Sequence, residues 1–303
     1  MIALFGTITL DSISHEKGYS FKSVGGILYQ AGVFAGLNVK ARIYSNLGKN
    51  IKDEVFRIID KWGSIDKRGI NIVPGNGNQV SLYYPVKGER VEILHSVVPP
   101  FNSELILKDK DQITTLMAVF NSGYDMDIEH WRKIVENLKC PIWLDIHSLA
   151  LERVIGKERG YRRFEEWEEW VRGVTYFQAN CKEIASMLGN PEKIPETKDI
   201  FKICEKILSL EVKAIFITLG EEGVLVFSSD FIDKIKSPKV KEVIDTTGCG
   251  DVFASATMLE LIRGGDIYNA TKFGIELASE TVSIIGPDAI YKLIKNYYGK
   301  TIN

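Results

Sequence analysis

Short apolar runs and amphipathic stretches alternate along most of the 303-residue chain. The runs IALFG, ARIYS, TLMAVF, PIWLDI, VTYFQ and AIFITLG read as strands. Between them lie stretches of helical period. In IKDEVFRIIDKWG, residues Ile51, Val55, Ile58, Ile59 and Trp62 fall on one face. Ile128, Trp131, Ile134, Val135 and Leu138 repeat the pattern, and so do Ile200, Ile203, Ile207 and Leu208. Strands alternating with helices predict an α/β layered fold built on a largely parallel sheet.

One region breaks this rhythm. Residues 71–98 contain β-like runs punctuated by PGNGN and KGE, with no helical period. With residues 12–24 they predict a small β lid on a single domain spanning 1–303. Val80, Leu82, Tyr84, Val91 and Ile93 alternate, so one lid face needs cover from substrate, the main domain or a second copy. A homodimer through the lid is one such arrangement.

Composition narrows the function. A net charge of −2 gives no electrostatic case for nucleic acid or an anionic membrane. Cys140, Cys181, Cys204 and Cys249 form no CxxC pair, which fits free thiols in a reducing compartment. The N-terminus reaches a glycine and an acid too early for a signal peptide, so a cytoplasmic protein is expected. There is no GxGxxG, and Gly299-Lys300-Thr301 lacks its upstream glycine because Ile294 stands there. His15, His95, His130 and His147 have no metal spacing and read as surface or packing residues.

The chemistry concentrates in DTTGCGD, Asp245 to Asp251, just ahead of a helical pattern through Val252, Phe253, Ala256 and Leu259. Glycines at a helix N-terminus expose unpaired N–H groups to an anion and let a ligand approach the backbone. Asp251 as a simple helix cap is the competing reading. NCKE (Asn180 to Glu183) is a capping box in its own right, and TLGEEG (Thr218 to Gly223) a turn between strands. Ligands of open α/β sheets sit beyond the carboxyl ends of strands. Asp11, Asn180, Thr218 and the Asp245–Asp251 motif all follow strand-like runs.

DTTGCGD resembles the DTxGAGD signature of the ribokinase-like (PfkB) carbohydrate kinases. NCKE and TLGEEG resemble that family's NxxE and TLGxxG motifs, in the same order. Asp11 and the Gly25-Gly26 pair stand where the family has a strand-end aspartate and a Gly-Gly pair. The resemblance implies a three-layer sandwich with a mostly parallel central sheet and a β lid. It implies an ATP-dependent transfer of the γ-phosphoryl group to an alcohol hydroxyl, with Asp251 as base and the amides of Gly248, Cys249 and Gly250 as anion hole. Asn180, Glu183, Thr218, Gly220 and Gly223 would serve the nucleotide, Glu183 holding Mg2+ through water. Asp11, Gly25 and Gly26 would meet the acceptor. Asp245 and Thr246 would border a monovalent cation such as K+.

Two departures concern the acceptor. Gln30 stands where many such sugar kinases have a sugar-binding asparagine, and Asn50 where an aspartate is frequent. Gln30 is therefore expected to help choose among a sugar, a polyol and a nucleoside. A phosphosugar is also open, given Lys22, Lys87 and Arg90 in the lid region. The alternatives to a sugar or polyol kinase are a nucleoside kinase of the same family and a non-catalytic nucleotide-binding relative.

Overall fold

The computed structural model describes residues 1–16, 18–86 and 90–298. Lys87 and Gly299-Lys300-Thr301 lie outside the described residues. The strands are β1 (Ile2–Phe5), β2 (Ile8–His15), β3 (Ser20–Gly26), β4 (Ala41–Gly48), β5 (Ile65–Val73), β6 (Asn78–Tyr84) and β7 (Val91–Ser96), then β8 (Thr115–Val119), β9 (Ile142–Asp145), β10 (Tyr176–Asn180), β11 (Ala214–Thr218), β12 (Val224–Ser228) and β13 (Ile232–Ile235). The helices are α1 (Leu28–Gly36), α2 (Lys52–Trp62), α3 (Glu104–Leu107), α4 (Ile128–Asn137), α5 (Trp167–Val171), α6 (Cys181–Met187), α7 (Thr197–Leu208), α8 (Cys249–Ile262), α9 (Ile267–Thr281) and α10 (Pro287–Tyr297).

A nine-stranded sheet has the order β13-β12-β11-β10-β9-β8-β1-β4-β5. From β11 to β5 neighbours run parallel; β12 and β13 continue antiparallel. Alternate side chains serve opposite faces. Ile2, Leu4, Ile43, Trp143 and Phe216 join the core beneath α1, α2, α8, α9 and α10. Ala3, Phe5, Tyr44, Leu144, Phe177 and Ile215 join the one beneath α4, α6 and α7. The result is the α/β layering that the alternation of strands and helices predicts, in the three-layer form that the resemblance implies. No helix among the described residues is long and apolar enough to cross a membrane.

The β excursion is a separate four-stranded sheet, β3-β2-β6-β7. Its limits differ from the expected 12–24 and 71–98. β2 begins at Ile8, because Gly6 ends β1 and the chain leaves the large sheet earlier than the unbroken run IALFGTITL suggests. Asn71 to Val73 belong to β5 of the large sheet. The inward face also differs. Asp11 pairs with Val80 and Ile13 with Leu82, while Val80 lies opposite Leu94 and Leu82 opposite Glu92. That register places Leu94 and Glu92 inward on β7, where Val91 and Ile93 were expected. A following segment borders this edge: the Gly156 and Arg159 amides donate to the Leu94 and Glu92 carbonyls at 2.8 and 3.0 Å.

Candidate active site

The carboxyl ends of β8 to β11 open on one side of the large sheet, and the small sheet covers that side. Between them lies a cavity of about 230 Å3. Val119, Asn121, Asp145, Asn180 and Thr218 line it from the strand ends, and Asp11, Val80, Leu82, Arg90 and Glu92 from the small sheet and its approach. Thr246, Thr247, Gly248, Gly250 and Asp251 close it at the start of α8.

The Asp245–Asp251 motif makes a loop that turns into α8. Gly248 is the N-cap in the left-handed region (φ 82°), and no side chain caps the helix. Asp251 is thus not a cap; its Oδ1 accepts from Gln30 Nε2 at 3.1 Å. A Cβ on Gly248 would lie 2.3 Å from Tyr29 Cδ1, so this backbone packs against an aromatic ring. The Gly248, Gly250 and Asp251 amides have no partner among the described residues, as expected where a helix begins. Cys249 N–H instead turns back to the Thr246 carbonyl at 3.2 Å. The Cys249 amide is therefore engaged, and its Sγ faces Ala278 and Thr281.

Burial raises Asp251 to about 6, against the opposing influence of His147 and the Gln30 hydrogen bond. Asp11 reaches about 7, again through burial, with the Thr9 hydrogen bond lowering it and Glu92 raising it. Asp11 lies in the middle of β2, not at a strand end of the large sheet. Gly25 makes room for it, since a Cβ there would sit 2.1 Å from Asp11 Oδ2. Gly26 lines the cavity, while Gly25 acts through this approach.

NCKE forms the reciprocal capping box of α6: Asn180 Oδ1 accepts from the Glu183 amide, and Glu183 Oε2 accepts from the Asn180 amide at 2.7 Å. Both residues also face the cavity. TLGEEG turns from β11 to β12 and borders a larger groove of about 730 Å3 with Val240, Val243, Phe253, Ile275 and Val282. Thr218, Thr246 and Gly250 line both spaces, so the two are contiguous; Gly220 and Gly223 line the groove alone.

Some expected contributors lie elsewhere. Gln30 is fully buried, lines neither space, and reaches the site only through Asp251. Asn50 accepts from the Gly77 amide at 2.8 Å, pinning the chain ahead of β6. Lys22 is exposed on β3, away from the cavity.

His147, read from sequence as packing or surface, lines the cavity instead. Its Nδ1 lies 3.5 Å from Glu183 Oε1. Burial alone would lower its pKa, but Glu183 outweighs this and pushes it up to about 9. Asp145 accepts from the His147 amide at 3.1 Å and from Gln178 Nε2 at 2.8 Å. Burial and then Glu183 push its carboxyl well above the usual range. Asp145 ends β9 within PIWLDI and His147 follows that run, so the strand-end rule points to both. Glu92 is different: it bridges Arg159 at 2.9 Å and Arg90 at 3.1 Å, a buried link no local pattern announces.

Residues 159–291 match the sequence profile of the pfkB family carbohydrate kinases. Ribokinase from Thermotoga maritima superposes with a TM-score of 0.75 over 98% of both chains at 21% identity. The resemblance stands. The chain has the ribokinase-like fold. A nucleoside kinase from Burkholderia thailandensis, solved with inosine, superposes with a TM-score of 0.76 over 99% of this chain and 98% of its own, at 17% identity. Among curated sequences, a cytidine kinase of Thermococcus kodakarensis is 22% identical over 93% of this ribokinase-like chain and 95% of its own length. A deoxyribokinase of Salmonella typhimurium is 22% identical over 88% and 84%.

Proposed function

We propose that the protein is an ATP-dependent kinase that transfers the γ-phosphoryl group to an alcohol hydroxyl of a small sugar or polyol. The observation that carries this is the placement of Asp251. Its carboxylate lies in the cavity beside two free amides at the start of α8, under the small sheet that acts as lid. Phosphoryl transfer asks the protein for positioning, charge stabilisation and proton removal, and these groups supply all three.

Asp11 and the lid hold the acceptor, with its hydroxyl toward Asp251. Gln30 occupies Asp251 Oδ1, which leaves Oδ2 without a protein partner to take the hydroxyl proton. The Gly248 and Gly250 amides stabilise charge on the transferring group; Cys249 is withdrawn from that role by its bond to Thr246. The larger groove takes the adenine. Its apolar wall of Val243, Phe253, Ile275 and Val282 would have no use for pyrophosphate as donor. That contrast matters because a pyrophosphate-dependent kinase of the ribokinase family superposes with a TM-score of 0.80.

The donor set fits Mg2+ carried by nucleotide phosphates and water. Glu183 and Asp145 are hard oxygen donors, yet both oxygens of each already accept protein hydrogen bonds. They would orient metal-bound water instead of binding the ion directly. Among the described residues no cluster of three or more His, Cys, Asp or Glu could hold a metal alone. Bound there, the ion neutralises phosphate charge. Asp245 Oδ2 is buried without a partner, which suits a monovalent cation such as K+ beside the anion loop.

One observation favours a nucleoside as acceptor. Val80, Leu82 and the Tyr29 ring give the acceptor side an apolar wall on which a base can pack. ADP release measured across sugars, polyols and nucleosides separates the two classes. An acceptor-dependent rate that Asp251→Asn abolishes supports the kinase reading. No acceptor-dependent rate above the Asp251→Asn background would leave a non-catalytic nucleotide binder.

A further inference from the structure

The lid touches the anion loop through two tyrosine hydroxyls. Tyr19 donates to the Ile244 carbonyl at 2.8 Å, and the Tyr84 hydroxyl lies 2.7 Å from Thr247 Oγ1. Thr247 in turn donates to Asp245 Oδ1 from its amide at 3.0 Å and from Oγ1 at 2.7 Å. With the Thr247 proton committed to Asp245, Tyr84 must be the donor to Thr247. The relay Tyr84 to Thr247 to Asp245 therefore has one direction, and each bond polarises the next.

Both phenols are held in place by His15. Its ring stacks on Tyr19 at 4.3 Å (21°) and on Tyr84 at 4.8 Å (10°). In the β2–β6 register, Asp11 faces Val80, Ile13 faces Leu82 and His15 faces Tyr84. Every second residue shares a face, so the side chains that meet the acceptor and those that meet the loop stand on one continuous surface. Thr247 directly precedes Gly248, whose amide is free.

We infer that Tyr84, assisted by Tyr19, is a positioning residue for phosphoryl transfer. Docking of the acceptor-holding sheet sets the Asp245–Thr247 turn, and through it the orientation of the Gly248 and Gly250 amides. The acceptor side thereby controls whether the anion hole is formed. This rests on the kinase reading of the same site, and goes beyond it by linking two of its parts.

The test is Tyr84→Phe, which keeps the ring stack and removes only the hydroxyl. Turnover should fall roughly 3–30-fold, the range for one net hydrogen bond acting within a network. KM for ATP and for the acceptor should move less than about 3-fold, whereas a merely loosened lid would raise acceptor KM. Amide hydrogen exchange on the ligand-free protein gives a readout independent of activity. Thr247 and Cys249, whose amides are hydrogen-bonded within the turn, should exchange faster in Tyr84→Phe, with α2 unchanged. Unaltered exchange in that segment overturns the inference, whatever happens to turnover. Faster exchange with turnover within two-fold of wild type also overturns it. If wild-type protein phosphorylates no acceptor, the kinase reading fails, and the exchange arm still decides whether Tyr84 orders the loop.

Discussion

Gln30 Nε2 donates to Asp251 Oδ1 at 3.1 Å, joining the first turn of α1 to the first turn of α8. The hydrogen bond favours the ionised carboxylate, so it lowers a pKa that burial raises. Gln30→Ala should therefore lower kcat more than it raises acceptor KM. It should also move the acid limb of the kcat/KM profile upward from about 6, since the lost bond had favoured the base form. A profile superimposable on wild type with only acceptor KM changed would return Gln30 to direct acceptor recognition.

Asp251→Asn keeps the size of the side chain and removes its basicity. Turnover should drop ~10²–10⁴-fold, the usual range for general-base catalysis. ATP binding should persist, because the groove wall and the free amides are untouched. The same preparation should melt no lower than wild type at pH 7, since Asp251 caps nothing. Turnover within a few-fold of wild type would remove Asp251 as base.

The two raised carboxyls make stability depend on pH in a definite direction. Asp11 and Asp251 ionise at about 7 and about 6 in the fold, against 3.8 for an unperturbed carboxyl. Folding favours their protonated forms, so this contribution is full below about pH 4 and is lost as pH rises through 6 to 7. Asp11→Asn should accordingly raise the melting temperature of the ligand-free protein at pH 8 and change it little near pH 4. The gain at pH 8 should be on the order of 1–4 kcal/mol. Equal effects at both pH values would contradict a raised Asp11.

The apolar groove should discriminate between phosphoryl donors. Ala278 lines it beside Val282 and Phe253. Ala278→Phe should fill space meant for the adenine and raise KM for ATP ~10-fold or more, about 1.4 kcal/mol of binding. Acceptor KM should stay put. If pyrophosphate supports turnover as well as ATP does, and Ala278→Phe affects neither, the groove is not the donor site.

Local pattern revealed the layers and the glycine loop, because strands buried on both faces and one-sided helices carry their burial in their own sequence. Val55, Ile59 and Trp62 of α2 are buried as their period requires. The small sheet was legible as β and not in register. A one-residue change of phase decides whether Glu92 or Ile93 points inward, and Glu92 is tolerated there because Arg90 and Arg159, the latter 67 residues away, both meet it. Asp251 shows the same limit. An aspartate near a helix start reads as a cap until the structure shows that its partner is Gln30.

Gly248 and Tyr29 share a single volume: the methyl that any other residue would add at position 248 lies 2.3 Å from the Tyr29 ring. The two positions are thus not free to drift separately through evolution. A descendant that gained alanine at 248 would need the left-handed turn relaxed and a smaller side chain at 29, and the second change would strip the acceptor side of its aromatic wall. Ribokinase-like chains with another residue in place of Gly248 should then have altered acceptors as well as altered loops. Substrate range and anion-loop geometry would diverge together, as one inherited unit.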